Sequence, residues 1–161
     1  MNSDDVLNNA AVNIGDIDPE TVAQWLENSG NYKVLRRIQV RENFGGKIHS
    51  PVKVLVVDTE TTGLDYASSE VIEVGALLIE VDQDTGEIGA VLGRFGGLEE
   101  PKVPITVENE AIHGITNDMV KGQRFDEAAL KALCSEAALF VAHNAAFDKP
   151  FMLRRFPWLE K

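Results

Sequence analysis

The stretch Val52-Lys-Val-Leu-Val-Val57, a nearly continuous apolar run that breaks on Asp58, constrains this chain more than any other. Short and rich in valine, it suits a strand buried on both faces. Val71–Val81 reads as a second strand, and the cluster Asp82–Gly86 carries turn chemistry. Ile88–Phe95 then returns as a third strand, so that the last two form an antiparallel hairpin. Glu108–His113 and Asn117–Lys121 look like short helical pieces around a break at Gly114. Asp126 can cap a helix whose Ala129, Leu130, Leu133 and Cys134 share one face. Ala138–Ala142 is another apolar strand, ending at His143-Asn144, and Phe147–Phe156 reads as a helix stopped by Pro157. The order β-β-β-α-β-α predicts an α/β sheet with an antiparallel hairpin beside parallel strands.

Ahead of Pro51 the signals are sparser. Residues 1–17 are rich in Asn and Asp without a period and are expected to fray. Asp18 as N-cap, Pro19 at the first helical position and Glu20 in the first turn announce a helix, with Val22, Trp25 and Leu26 on one face and Gly30 as its stop. Tyr32–Val40 suggests a strand, closed by Gly45-Gly46. These elements are too small to bury a core, so residues 1–50 are expected to be an extension that docks on residues 51–161. Arg36-Arg37 reads as a solvated face, with contact to phosphate as the alternative.

With 161 residues the chain suffices for one domain and an appendage. No apolar run approaches the ~20 residues of a membrane-spanning helix, and the amino terminus lacks the basic and apolar regions of a secretory signal. Cys134 is the single cysteine, which fits a reducing compartment. The expectation is a cytoplasmic protein with no membrane partner. Against 15 basic residues stand 26 acidic ones, a net charge of −11. That excludes a generally basic nucleic-acid-binding surface. A polyanion handled by so acidic a domain would need bound metal to supply positive charge.

Asp58-Thr-Glu60-Thr-Thr-Gly63 places two carboxylates two residues apart where a strand gives way to a turn. Alternation along an extended backbone puts both on one face, within reach of one ion. In α/β sheets the active crevice lies at the carboxyl ends of strands, and Asp148 follows another such end. An oxygen-only donor set favours Mg²⁺ or Mn²⁺ over zinc and suits phosphoryl chemistry. A lone Asp-x-Glu would read as an exposed turn, but this one has company.

Three ordered stretches, Val56-Val-Asp-Thr-Glu-Thr-Thr-Gly-Leu64, Ala111-Ile-His-Gly-Ile-Thr-Asn-Asp-Met119 and Val141-Ala-His-Asn-Ala-Ala-Phe-Asp148, carry a family likeness. Over roughly residues 52–161 the chain resembles the DEDD-type (DEDDh) 3′–5′ exonucleases, the family of the proofreading (epsilon) subunit of bacterial DNA polymerase III. The resemblance implies a ribonuclease-H-like mixed sheet flanked by helices, and hydrolysis at the 3′ end of single-stranded DNA with two Mg²⁺ or Mn²⁺ ions. RNA is the alternative substrate, a non-catalytic metal- or nucleic-acid-binding fragment the alternative role, and a DNA polymerase a possible partner. By resemblance Asp58 would bridge both metals, Glu60 would hold one and help place the water or the terminal 3′-hydroxyl, and Asp148 would hold the other. Thr61, Thr62, Gly63 and Leu64 would grip the terminal nucleotide, with Leu64 as an apolar wedge or, alternatively, a packed turn residue. His113 would border the nucleotide pocket or hold its loop, and His143 would shape the site by hydrogen bonding. Cys134 reads as a buried core thiol. The family's third motif, a His four or five residues before a final Asp, has no match before Lys161. The chain is therefore expected to be a partial domain, incomplete at its carboxyl end, with little activity by itself.

Overall fold

The computed structural model describes residues 18–160. The chain divides into two compact units between Val40 and Arg41. The described part of the first begins with helix α1, Pro19–Asn28. Asp18 caps it, its carboxylate accepting from the Thr21 amide at 3.0 Å, and Pro19 occupies the first turn, where a missing N–H costs nothing. Arg36 folds back on this helix, 2.6 Å from Glu20 and 3.4 Å from Glu27, so the basic pair is half engaged in ion pairing. The strand expected over Tyr32–Val40 does not form. Its side-chain pattern alternates, but among the described residues no neighbouring strand takes up its N–H and C=O groups, and Leu35, Ile38 and Val40 stay exposed. The face of α1 carrying Val22, Trp25 and Leu26 buries no residue either.

In the second unit, strands β1 (Pro51–Thr61), β2 (Val71–Asp82), β3 (Ile88–Leu98) and β4 (Leu139–Val141) form one sheet in the order β3-β2-β1-β4. β1 pairs antiparallel with β2, β2 antiparallel with β3, and β1 parallel with β4, giving the mixed α/β sheet that the pattern predicts. The stretch Glu42–Gly46 belongs to this unit rather than to an extension. It hydrogen-bonds along β3, with the Phe44 amide donating to Gly89 O at 2.8 Å and the Val91 amide to Glu42 O at 2.9 Å. The division of the chain thus falls ahead of Pro51.

The remaining elements are short helices α2 (Val107–His113) and α3 (Asn117–Val120), then α4 (Glu127–Glu136), α5 (Ala145–Arg155) and a 3₁₀ turn over Pro157–Glu160. Gly114 closes α2 in the left-handed region at φ 75°, a conformation that favours glycine. Helices α4 and α5 bury Leu130, Cys134, Phe151 and Met152 in one core with Leu55, Val57, Val74, Ala76 and Leu78 of the sheet. Burial pushes the Cys134 thiol up to about 11, so it stays protonated and inert. The opposite face of β1 is only partly covered: Val54 is buried, but Val56 is 37% exposed. The expectation of burial on both faces therefore fails toward the end of the strand, where Asp58 and Glu60 follow Val56 on that same open face. A second, smaller core of Ile72, Ile105, Ile115 and Val120 anchors α2 and α3. Among the described residues no helix is long and apolar enough to cross a membrane.

Asp82 fastens the hairpin to the lead-in of β1. Its buried carboxylate accepts from the amides of His49 (2.6 Å), Ser50 (2.9 Å) and Thr85 (2.9 Å) and from the Thr85 hydroxyl (3.0 Å). These donors, the Ser50 and His49 amides foremost, hold the carboxyl well below the ordinary carboxylate range. Asp82→Asn, which sets an NH₂ against N–H donors, should lower the melting temperature by several degrees at neutral pH. Because the folded-state value is depressed, the native contribution is present above the ordinary carboxylate value and fades as pH falls through the lower one. The gap between wild type and variant should therefore close in strong acid, as thermal melts at two pH values will record.

Candidate functional site

Asp58 and Glu60 sit at the end of β1, exposed and half-buried respectively, with Thr59 between them buried on the other face. Asp148, in the first turn of α5, is 5% exposed and approaches from that other face. Its Oδ1 accepts from the Thr59 hydroxyl at 2.8 Å. The two sequence runs do meet, but Asp148 is held by the residue between the acidic pair rather than beside the pair. Among the described residues no three His, Cys, Asp or Glu side chains come together as a ready metal cage. The donor set nevertheless has the hard-oxygen chemistry that a divalent cation takes.

The electrostatics point the same way. Glu60 is shifted up from the ordinary glutamate value, first by burial and then by the charges of Asp58, Glu73 and Asp148, with His113 opposing. Carboxylates that raise one another's affinity for protons also raise the gain from binding a cation. Glu73 was not among the residues singled out by sequence. It lies directly opposite Glu60 in the β1–β2 register, and only that register reveals it. Like charges so placed repel, so Glu73→Gln should stabilise the protein by about 0.2–1 kcal/mol at neutral pH. The gain should shrink in acid as Glu60, whose carboxyl is shifted up, takes a proton and the repulsion disappears, which thermal melts across the acid range will check.

Beyond Glu60 the strand steps through a register shift into the turn Thr61–Leu64. The Thr61 hydroxyl donates to Gly63 O at 2.7 Å, and the Thr62 amide and hydroxyl both bond Glu70 at 2.9 Å. At Gly63 a Cβ would lie 2.7 Å from Ser69 Oγ, so a larger residue there would require the Ser69 hydroxyl to turn away. Leu64 is 86% exposed, which excludes a packed turn leucine. From α2, Asn109 Nδ2 donates to Thr62 O at 2.5 Å. His113 ends the same helix; its Nδ1 accepts from the Ile115 amide at 3.0 Å, while its buried Nε2 has no hydrogen-bond partner among the described residues. The Nδ1 contact leaves Nε2 carrying the ring proton, a donor without an acceptor. His143, expected to brace the site by hydrogen bonds, is exposed past the end of β4 and makes no side-chain hydrogen bond among the described residues. A cavity of about 300 Å³ lies along β4 and α5, lined by Val57, Phe140, Val141, Asp148, Lys149 and Met152 among others.

Comparisons with known proteins bear on this geometry. The chain is 32% identical over 130 residues to a PolC-type DNA polymerase III of Thermotoga maritima, a match covering 80% of this chain and 8% of that protein. A match of that extent cannot fit within residues 51–161, so it takes in part of the stretch before Pro51. It is 35% identical over 111 residues to an epsilon-like DNA polymerase III subunit protein of Rhodobacter capsulatus, covering 63% of this chain and 14% of that one. The chain thus spans a small fraction of the length of these relatives. Among solved structures, Exonuclease I of E. coli in complex with a dA13 oligonucleotide superposes with a TM-score of 0.52 at 21% identity, covering 66% of this chain and 24% of that one. That likeness is one of fold, the ribonuclease-H-like arrangement that the sequence motifs imply. The exonuclease family model RNase_T matches residues 55–157, a span that runs from β1 through α5 and contains Asp58, Glu60, His113 and Asp148. The chain belongs to the RNase_T exonuclease family.

Proposed function

We propose that this chain carries a 3′–5′ exonuclease domain that hydrolyses phosphodiester bonds at the 3′ end of single-stranded DNA. What carries the reading is the family match across all three motif stretches, with the carboxylates Asp58, Glu60 and Asp148 inside it. Residues 41–161 form the catalytic domain, and the residues ahead of Arg41 lead into it. Asp58, Glu60 and Asp148 hold Mg²⁺ or Mn²⁺, two ions in the working enzyme. Such ions, when bound, neutralise the phosphate and stabilise the attacking and leaving oxygens.

The chain's own residues do the rest. Glu60 orients the attacking water or the terminal 3′-hydroxyl. Thr61, Thr62 and Gly63 present a tightly bonded turn to the terminal nucleotide, and the exposed Leu64 offers an apolar edge on which a base can stack. His113, with its unpartnered Nε2, supplies a hydrogen bond to an acceptor on that nucleotide. Relatives named as polymerase III proteins support a polymerase as partner, and Exonuclease I with its dA13 strand supports single-stranded DNA as substrate. The lone reduced cysteine suits the cytoplasm.

The test is a gel assay with 3′-labelled and 5′-labelled DNA and RNA strands, with and without Mg²⁺. Stepwise shortening of DNA from the 3′ end, abolished by chelation, is the expected outcome, slow for residues 1–161 alone because they hold no match to the family's third motif. Shortening from the 5′ end, or cleavage indifferent to chelator, would overturn the proposal. A clear preference for the RNA strands would move the substrate to oligoribonucleotides.

A further inference from the structure

We infer that Asn109 is a positioning residue for the 3′-terminal nucleotide, holding the turn Thr61–Leu64 against the helix that ends in His113. The inference rests on the assignment of that turn and of His113 to nucleotide binding. The other bonds that shape the turn come from within it or from Glu70, at the threshold of β2. They fix how the chain leaves the turn, but nothing in them relates the turn to α2. The bond from Asn109 Nδ2 to Thr62 O does, across 47 positions of sequence.

Asn109 and His113 stand four residues apart on α2, so they share one helix face. With Asn109 bonded to the turn, His113 is directed to the same side. A nucleotide gripped by the turn and by His113 Nε2 is thus held by two elements whose separation Asn109 sets. Asn109 touches neither the scissile phosphate nor a metal in this scheme; it acts through Thr62. The consequence should appear in binding rather than in the chemical step. Losing one such hydrogen bond weakens binding by about three- to tenfold.

The experiment uses thymidine 5′-monophosphate, the product of cutting an oligothymidylate, titrated in Mn²⁺ into wild type, Asn109→Ala, Asn109→Asp and Asn109→Gln. Amide hydrogen exchange at Gly63 and Leu64 is followed in parallel. Asn109→Asp keeps the shape but replaces the donor with a carboxylate facing a carbonyl. We expect Asn109→Ala and Asn109→Asp to bind the nucleotide about three- to tenfold more weakly and to exchange faster at Gly63 and Leu64. Affinity for Mn²⁺ alone should be unchanged, and Asn109→Gln should recover part of the loss. Wild-type affinity in Asn109→Asp would overturn the inference, since space filling alone would then suffice; so would unchanged exchange in the turn. If wild type binds the nucleotide and the variants match it, the exonuclease reading stands and only the role of Asn109 falls. If wild type itself fails to bind, the nucleotide assignment falls and the positioning role with it.

Discussion

Asp58→Ala is expected to abolish metal-dependent removal of nucleotides from 3′ ends, while leaving the melting temperature in chelator within a few degrees of wild type. Asp58 is exposed at the end of β1, so its removal costs little folding energy. It also relieves part of the repulsion on Glu60. The catalytic cost is of another order. Metal-borne stabilisation of a phosphoryl transition state is worth several kcal/mol, and each ~1.4 kcal/mol is a factor of ten in rate. A loss of at least about 10³-fold follows. Mg²⁺ or Mn²⁺ should raise the wild-type melting temperature by binding the native state alone, and Asp58→Ala should erase that rise. Residual cleavage within tenfold of wild type, or a metal-induced stabilisation that survives the substitution, would remove Asp58 from the centre of the site.

Asp58 was legible because its chemistry is local. The run from Val52 to Val57 announces a strand, alternation pairs Asp58 with Glu60, and the Thr-Gly turn is written in adjacent residues. The Asp18-Pro19 cap of α1 and the Asp126 cap of α4 are likewise local, and both form as the sequence predicts. What escaped depends on register and on contacts between distant segments. Glu73 faces Glu60 only because β1 and β2 pair as they do. Asn109 reaches Thr62 only because the small core of Ile72, Ile105, Ile115 and Val120 docks α2 and α3 near the start of β2. The strand expected over Tyr32–Val40 failed for the complementary reason. Alternation describes what a strand's two faces would do, yet a lone strand has no partner for its backbone.

Asp148 shows both sides of this. Its approach to the end of β1 was readable from strand order, but its attachment to Thr59 was not, since Thr59 faces away from the acidic pair. That attachment yields the second large effect. In Thr59→Val the shape is nearly kept and the hydroxyl is gone, so a buried carboxylate loses the donor at 2.8 Å. A buried acceptor left without its partner costs about 1–3 kcal/mol, more when charged, and the protein should lose stability of that order at neutral pH. Thr59→Ser, which restores the donor, should return the stability. Metal adds a further contrast: if Asp148 serves as a ligand, a cation can satisfy the carboxylate that valine strands, and Mg²⁺ should stabilise Thr59→Val more than it stabilises wild type. Denaturant melts at neutral pH, with and without Mg²⁺, separate these outcomes. A deficit that ignores Mg²⁺ would mean that Asp148 serves only as a packing residue of α5.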